Sequence, residues 1–371
     1  MNMTPFPTDR HGLIHRATVL SAHFSDEEYR RALRTKETIS IGRGVCVPAG
    51  KRSPTEWHRL KAIAASVTSD VTPTLSHQSA AVIPGIEMLT PNLRRIHMTT
   101  GTPNGGYRTT TQHRHVGRFA PDEVVEIEGL PVTSLERTAV DIACSSPLGF
   151  AGALAVLDSA LRKGADREVM ARLLGSRRRG AAHARRALHH ADGLSENPGE
   201  SWGRAQMIEA GLPVPRLQHE FHGTDGKFIA RTDYDWAGLL VGEFDGKVKY
   251  EKLVRPGEST SDVVIREKAR EDGLRRLGIV VLRWTWNDLR QGRVVGMIRE
   301  WLTAWPSRPP DPARPRAHAS PSCSRGPSVL TRAVDYPREP NSPAGEMTTR
   351  VSVLKPRRSR PASSSVPARC R

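Results

Sequence analysis

The sequence predicts an α+β multidomain protein, and three observations lead there. Its 371 residues are enough for two or three domains. Helical and strand-like patterns are mixed in each of its first three segments, 1–52, 53–185 and 194–305. From Pro306 onward the chain holds 13 of its 28 prolines, with much Ser and Arg and almost no periodic apolar residues, so 306–371 is expected to be a disordered basic tail.

The first segment predicts a small helical unit closed by a hairpin. Ser25-Asp26-Glu27-Glu28 is a cap followed by first-turn acids, opening a helix to about Thr35. Ile39 to Val47 alternates as strand, glycine turn and strand. Helix, helix and two-stranded wing is the order of a winged helix-turn-helix. The helix carries Arg30, Arg31 and Arg34, and Arg43 stands at the wing tip. In that arrangement the helix enters a DNA major groove and the wing meets phosphate. The competing assignment is a solvated basic helix on a structural module.

The second segment predicts an α+β domain. A helix is expected over Thr55–Ser66, a second capped by Ser76, and short strands at Arg95–Thr99, His113–His115 and Val124–Glu128. Leu130 to Ala143 reads as a capped helix start with an apolar face, followed by helices at about Gly149–Arg162 and Asp166–Leu174. His77 and Asp141 are candidates for catalysis, but a single histidine near a cap is more often structural. The run Arg177-Arg178-Arg179 and the pair Arg185-Arg186 read as the solvated face of a linker.

The third segment predicts a mixed sheet with helices on both faces. Its expected order is helix (Pro198–Ala210), strands (Leu217–His222, Phe228–Trp236, Leu239–Lys249), long helix (Ser261–Leu277), strand (Ile279–Trp284) and final helix (Asn287–Ala304). The third strand starts apolar and then sets Glu243, Asp245, Lys247 and Lys249 two apart, on one face. Charge at the end of a core strand is costly unless it meets a metal, a phosphate or a countercharge. A tight turn after Trp236 brings Asp233 near Glu243, and Glu200 lies at the first helix start. Asp233 and Glu243, with Asp245 beside them, are the expected Mg²⁺ ligands, and Glu200 is the third acid. Such an ion lowers the pKa of a bound water for phosphodiester hydrolysis. Lys247 or Lys249 then positions that water or stabilises transition-state charge. Lys268 and Arg270 on the long helix supply positive charge for nucleic acid, and Arg283 lies on the last strand. Glu200, three residues after Asn197, also fits a helix cap.

The formal net charge of +17 makes nucleic acid the leading partner class. Residues 306–371 hold 13 of the 56 Lys/Arg and 4 of the 39 Asp/Glu, so about half of the excess sits in the tail. Cys46, Cys144, Cys323 and Cys370 form no CxxC pair and no Cys/His metal spacing, so neither a disulfide framework nor a zinc site is expected. No apolar run nears the roughly 18 residues of a membrane span, and Met1–Arg16 has no apolar signal core. A cytoplasmic protein without membrane contact is expected.

Several ordered motifs carry a family resemblance. Asn-Pro-Gly-Glu-Ser (197–201), Ile-Ala-Arg-Thr-Asp-Tyr-Asp-Trp (229–236), Gly-Glu-Phe-Asp-Gly-Lys-Val-Lys-Tyr (242–250), Arg-Glu-Lys-Ala-Arg-Glu-Asp (266–272) and Val-Leu-Arg-Trp-Thr-Trp (281–286) resemble proteins related to very-short-patch repair endonucleases, within the PD-(D/E)XK or restriction-endonuclease-like superfamily. The resemblance implies a C-terminal restriction-endonuclease-like α/β domain with Asp233 and Glu243 as metal ligands and Glu200 as the helix acid. The chain departs from it at Asp245, where the superfamily has lysine. It also lacks the histidine of the repair enzymes, and Lys249 occupies that neighbourhood. Gly42-Arg43-Gly44-Val45, Leu75 to Ala81 and Gly129 to Thr138 resemble AbiEi-type antitoxins of type IV toxin–antitoxin systems. That resemblance implies a winged-helix transcriptional regulator with a partner toxin.

The expected function is DNA binding with Mg²⁺-dependent cleavage, in defence or repair. The alternative is a non-catalytic antitoxin-like regulator that keeps a degenerate nuclease fold. The tail also fits frameshifted sequence.

Overall fold

Capping residues and glycines fix many of the element ends. The structure, a computed structural model, describes residues 6–68, 73–246 and 259–304. It is a mixed α and β chain with three separate sheets among the described residues.

In the first segment β1 (Ile14–His15), α1 (Arg16–Ser21) and α2 (Asp26–Arg34) precede β2 (Thr38–Gly42) and β3 (Val45–Pro48). Ser25 opens α2 with a reciprocal cap: its hydroxyl accepts from Glu28 N–H, and the Glu28 carboxylate accepts from Ser25 N–H. The strands pair antiparallel in the order β1-β3-β2. Arg43-Gly44 makes the β2–β3 turn, with Gly44 at φ +68°. β1 adds a strand beyond the expected hairpin, and at two residues it is too short to leave a periodic signal.

The second segment runs α3 (Pro54–Val67), β4 (Thr74–Leu75), α4 (His77–Ala81), β5 (Ile96–Thr99), β6 (Tyr107–Arg108), β7 (Gln112–His115), β8 (Val124–Ile127) and β9 (Leu130–Thr133). Helices α5 (Leu135–Ser145), α6 (Gly149–Arg162), α7 (Arg167–Gly175) and α8 (Ala181–His190) follow. The sheet order is β6-β7-β5-β4-β9-β8.

Two expectations for this segment are corrected. Leu130–Thr133, read as the approach to a helix, is strand β9. It pairs antiparallel with β8 and parallel with β4, and the helix begins only after Ser134, whose hydroxyl accepts from Arg137 N–H at 3.2 Å. Glu128 and Gly129, both left-handed (φ +54° and +72°), make the tight β8–β9 hairpin. The stretch read as a linker is instead the lead-in to α8 and the helix itself, with Arg177, Arg179, Arg185 and Arg186 exposed on it as expected. Ala181, Ala184, Ala187 and Leu188 bury one stripe of α8. Arg185 donates to the Leu174 carbonyl at 2.7 Å, Arg186 lies 4.4 Å over the Phe150 ring, and Arg178 pairs with Asp141. Gly180 before α8 sits at φ +78°, where a Cβ would come within 1.9 Å of the Cys144 carbonyl oxygen.

The third segment contains α9 (Pro198–Glu209), β10 (Arg216–His222), β11 (Phe228–Trp236), β12 (Leu240–Asp245), α10 (Thr260–Arg276), β13 (Val280–Thr285), α11 (Trp286–Arg290) and α12 (Arg293–Thr303). The sheet runs β10-β11-β12-β13, antiparallel except for the last, parallel pair. Met207, Tyr234, Trp236, Phe244, Trp284 and Ile298 pack on the face that carries α9, α11 and α12. Phe221, Ala230, Val241, Leu274 and Ile279 pack on the face that carries α10. The expected single last helix is divided at Gly292 (φ +66°), a left-handed residue that stops one helix before the next begins.

The apolar cores cross the segment boundaries. Leu13, Val45 and Val47 pack in one cluster with Ile63, Leu75, Met98 and Val132. Ala205 of α9 is buried with α5, α6 and α8. Among the described residues no helix is long and apolar enough to cross a membrane. Lys247, Lys249 and the tail 306–371 lie outside the described residues.

Candidate active site

Asp233 has two other acids of the third segment, Glu200 and Glu243, as neighbours. Ala237 and Gly238, both left-handed (φ +55° and +69°), form the tight β11–β12 turn, and the Asp235 carboxylate accepts Gly238 N–H at 2.7 Å. Tyr234 pairs with Gly242 and Asp235 with Val241, so the next rung sets Asp233 beside Glu243. Asp233 Oδ2 accepts the Phe244 N–H at 2.8 Å.

β11 changes faces at Asp233. Ala230 packs with the α10 side, whereas Tyr234 and Trp236, an even number of residues further on, pack with the α9 side. Regular alternation forbids this. The change falls where β10 holds Gln218 in a left-handed conformation (φ +49°), between the paired rungs Leu217–Tyr234 and His219–Thr232. The local twist lets Asp233 approach both Glu243 on β12 and Glu200 at the start of α9.

Glu200 is 4% exposed. Its carboxylate accepts Glu196 N–H at 2.6 Å and an Asn197 side-chain N–H, while Asn197 Oδ1 accepts from Gly199 and Glu200 N–H at 2.9 and 3.1 Å. Asn197 therefore caps the helix, while Glu200 does not close the reciprocal capping box and its carboxylate also reaches Gln218 of the sheet. Gln218 Nε2 lies 3.4 Å from Glu200 Oε2 and 3.4 Å from Asp233 Oδ1. Burial, and then the Asp233 charge, push Glu200 up to about 8. Burial, offset in part by the Phe244 N–H and reinforced by Glu243, raises Asp233 to about 6.

Glu243 stands in a different field. Arg270 of α10 and Arg283 of β13 both donate to it, the latter from Nε at 3.1 Å. Arg270 also donates to the Arg231 carbonyl at 2.9 Å, and Arg283 lies 3.2 Å from Glu271. Asp233 thus has Glu200 and Glu243 as neighbours, with two guanidinium groups on the latter, but among the described residues the three carboxylates are not close enough together to share one ion. Oxygen donors from a helix and two strands suit a hard divalent cation. Burial raises both Glu200 and Asp233, and a cation bound beside them would relieve that cost.

The remaining candidates fall elsewhere. Asp245 is exposed at the end of β12, in register with Thr285. Asp235 is buried against Arg216 and lies 3.3 Å from His219, a structural arrangement. Lys268 is exposed on α10, whereas Arg270 turns toward Glu243. Arg30 and Arg34 on α2 pair with Asp26 and Glu27 at 2.8 and 2.5 Å, and Arg31 and Arg43 are exposed. Asp141 is buried between Arg137 and Arg178. Gln218 is the site residue that the sequence reading missed. A polar residue in mid-strand was its one signal.

No family model matches the chain. Two proteins of Mycobacterium tuberculosis, named uncharacterized protein MT2308 (strain CDC 1551 / Oshkosh) and uncharacterized protein Rv2248 (strain ATCC 25618 / H37Rv), are each 33% identical over 233 residues, covering 60% of this chain and 79% of their own. The crystal structure of the RV2827C protein from Mycobacterium tuberculosis is similar over 58% of this chain and 84% of its own, at 16% identity and a TM-score of 0.34. A likeness that distant carries no argument.

Proposed function

The chain belongs to the family of these two mycobacterial proteins, and we propose that it binds DNA and cleaves phosphodiester bonds with Mg²⁺ at the Glu200–Asp233–Glu243 cluster. The observation that carries this reading is the approach of Glu200 and Asp233 to one side chain, Gln218, with both acids pushed toward the protonated form. In this reading the third segment is a restriction-endonuclease-like domain, and α2 with the β2–β3 hairpin is a winged helix that contacts DNA through Arg31 and Arg43. Defence or repair is the setting that suits such chemistry.

Asp233 and Glu200 would hold the ion, and Glu243 would join them once a guanidinium group moves to the substrate. When bound, the ion supplies Lewis acidity at the phosphate and a water of lowered pKa. Gln218 orients the two carboxylates toward each other. Arg270 and Arg283 place positive charge beside the scissile phosphate, where charge builds in the transition state. Purified chain is expected to nick or cut plasmid DNA with Mg²⁺ or Mn²⁺, and Asp233→Ala and Glu243→Ala to abolish it. Cutting that persists in both variants overturns the assignment.

One observation favours a second reading. Arg270 and Arg283 already neutralise Glu243, as in a fold kept for stability. A non-catalytic regulator with an antitoxin-like role and a partner toxin would use only the DNA contacts. It predicts gel-shift binding that survives Asp233→Ala and is lost on Arg31→Ala or Arg43→Ala, with no cutting by the unaltered chain.

A further inference from the structure

Histidines from three stretches of the second segment meet on its sheet. β5 and β7 run parallel, with His97 opposite His113 and Thr99 opposite His115. Strand alternation therefore puts His97, His113 and His115 on one face. β4 pairs with the other edge of β5, and Ser76 N–H donates to the His97 carbonyl at 3.1 Å, which carries the start of α4 onto the same spot. The His77 ring stacks on His115 at 4.0 Å and 13°, and His97 Nδ1 lies 2.9 Å from His115 Nε2.

One ring nitrogen from each of His77, His97 and His115 lies within 4.8 Å of the other two. Zinc–imidazole bonds are about 2.0–2.1 Å, so two nitrogens on one ion stand at most about 4.2 Å apart. Side-chain shifts of about 1 Å or less close the set around an ion, which replaces the His97–His115 hydrogen bond. His77 holds φ +50°, an unfavourable conformation for a side chain of this size and one that tends to be kept where function needs it. Ser76 Oγ accepts from Thr99 Oγ1 at 2.9 Å and lies 3.2 Å from His77 Nδ1. A proton on that Nδ1 directed at Ser76 leaves His77 Nε2 as the free donor, the outer support typical of a metal-bound histidine.

We infer that His77, His97 and His115 form a binding site for one zinc ion, separate from the carboxylate cluster. Imidazole donors select zinc and its neighbours over Mg²⁺. The rings are ready for it. Burial, followed by the charges of neighbouring histidines and arginines, lowers His97 to about 3 and His115 to about 2, while burial lowers His77 to about 4 against the pull of Asp141. The ion would tie β5, β7 and the head of α4 together.

The test uses the full chain without a histidine tag, stripped by chelator and then dialysed against Zn²⁺. Elemental analysis is expected to find one zinc per unaltered chain and none in the double variant His97→Gln, His115→Gln. Cobalt substitution is expected to give visible absorption bands that the variant lacks. Asp233→Ala should keep its zinc, which separates this site from the proposed Mg²⁺ site. Should the double variant fail to fold, His77→Asn takes its place, since asparagine tolerates a left-handed backbone. Its melting midpoint should lose the zinc-dependent rise of the unaltered chain. Unaltered chain that retains no zinc, or variants that retain as much, overturns the inference.

Discussion

Glu200 shows how one side chain serves two demands. It accepts Glu196 N–H and the side chain of the capping Asn197, which fixes the approach to α9, and it is buried beside Asp233. Its pKa rises from the ordinary 4.5 to about 8, and that of Asp233 from 3.8 to about 6. A carboxyl group raised on folding contributes stability that is fully present below its unfolded pKa and is lost as pH climbs through the folded one. From these two acids the loss runs across about pH 4 to 8. A divalent ion offsets it only where both are ionised. Millimolar Mg²⁺ is therefore expected to raise the melting midpoint more at about pH 8.5 than at about pH 5. Equal shifts at both, measured by thermal scanning, contradict the cluster as a cation site.

A second residue-scale expectation concerns Asp158 of α6, fully buried with Arg204 of α9 at 2.7 and 2.8 Å. Asp158 also accepts Asp192 N–H and the Ser201 hydroxyl, both at 2.7 Å. Arg204→Met leaves that charge buried without its partner and is expected to cost about 3–5 kcal/mol in denaturant unfolding. Asp233 and Glu243 were legible because two acids on adjacent strands stand out against apolar neighbours. Gln218 and the histidine group were not. Sequence spacing shows donors on one helix or loop, whereas His77, His97 and His115 become neighbours only through the β4–β5–β7 pairing.

At the scale of elements, long periodic helices, capped starts and the alternating strands β2, β3, β5, β7 and β8 were readable, and the short strands β1, β4, β6 and β9 were not. α2 and α3 each begin with a reciprocal Ser–Glu cap that the local sequence spells out. β9 has four residues with a proline among them, so nothing local sets it apart from a helix lead-in; pairing on both sides makes it a strand. α8 was hidden by its arginines, of which Arg185 reaches the Leu174 carbonyl and Arg186 the Phe150 face while alanines fill the buried stripe. Close packing at β12 gives a sharp expectation. A Cβ on Gly242 would come within 2.3 Å of the Trp284 ring, between two well-packed strands. Gly242→Ala should destabilise the chain by about 1–3 kcal/mol, read from chemical denaturation.

Across the whole molecule, the described cores lie within residues 6–304. A chain ending at Trp305 is expected to keep its melting midpoint while its formal net charge falls from +17 to +8. If DNA binding resides in the folded part, the truncated chain keeps most of the salt dependence of its affinity. A slope that collapses on truncation would move that binding to the tail. Composition pointed to three consecutive parts, and the structure does assign a sheet to each. What composition could not reveal is that Leu13, Val45 and Val47 complete the core of the next segment, or that Ala205 and Arg204 are locked against α6. Patterning marks which residues are buried, not which neighbours bury them.

Those shared cores have a mechanical consequence. Under the proposed function, basic helix and acid site joined through packed interiors would act as a caliper. A nuclease built this way would cut at a set number of base pairs from the point it grips, and mapped ends would fall in a narrow band.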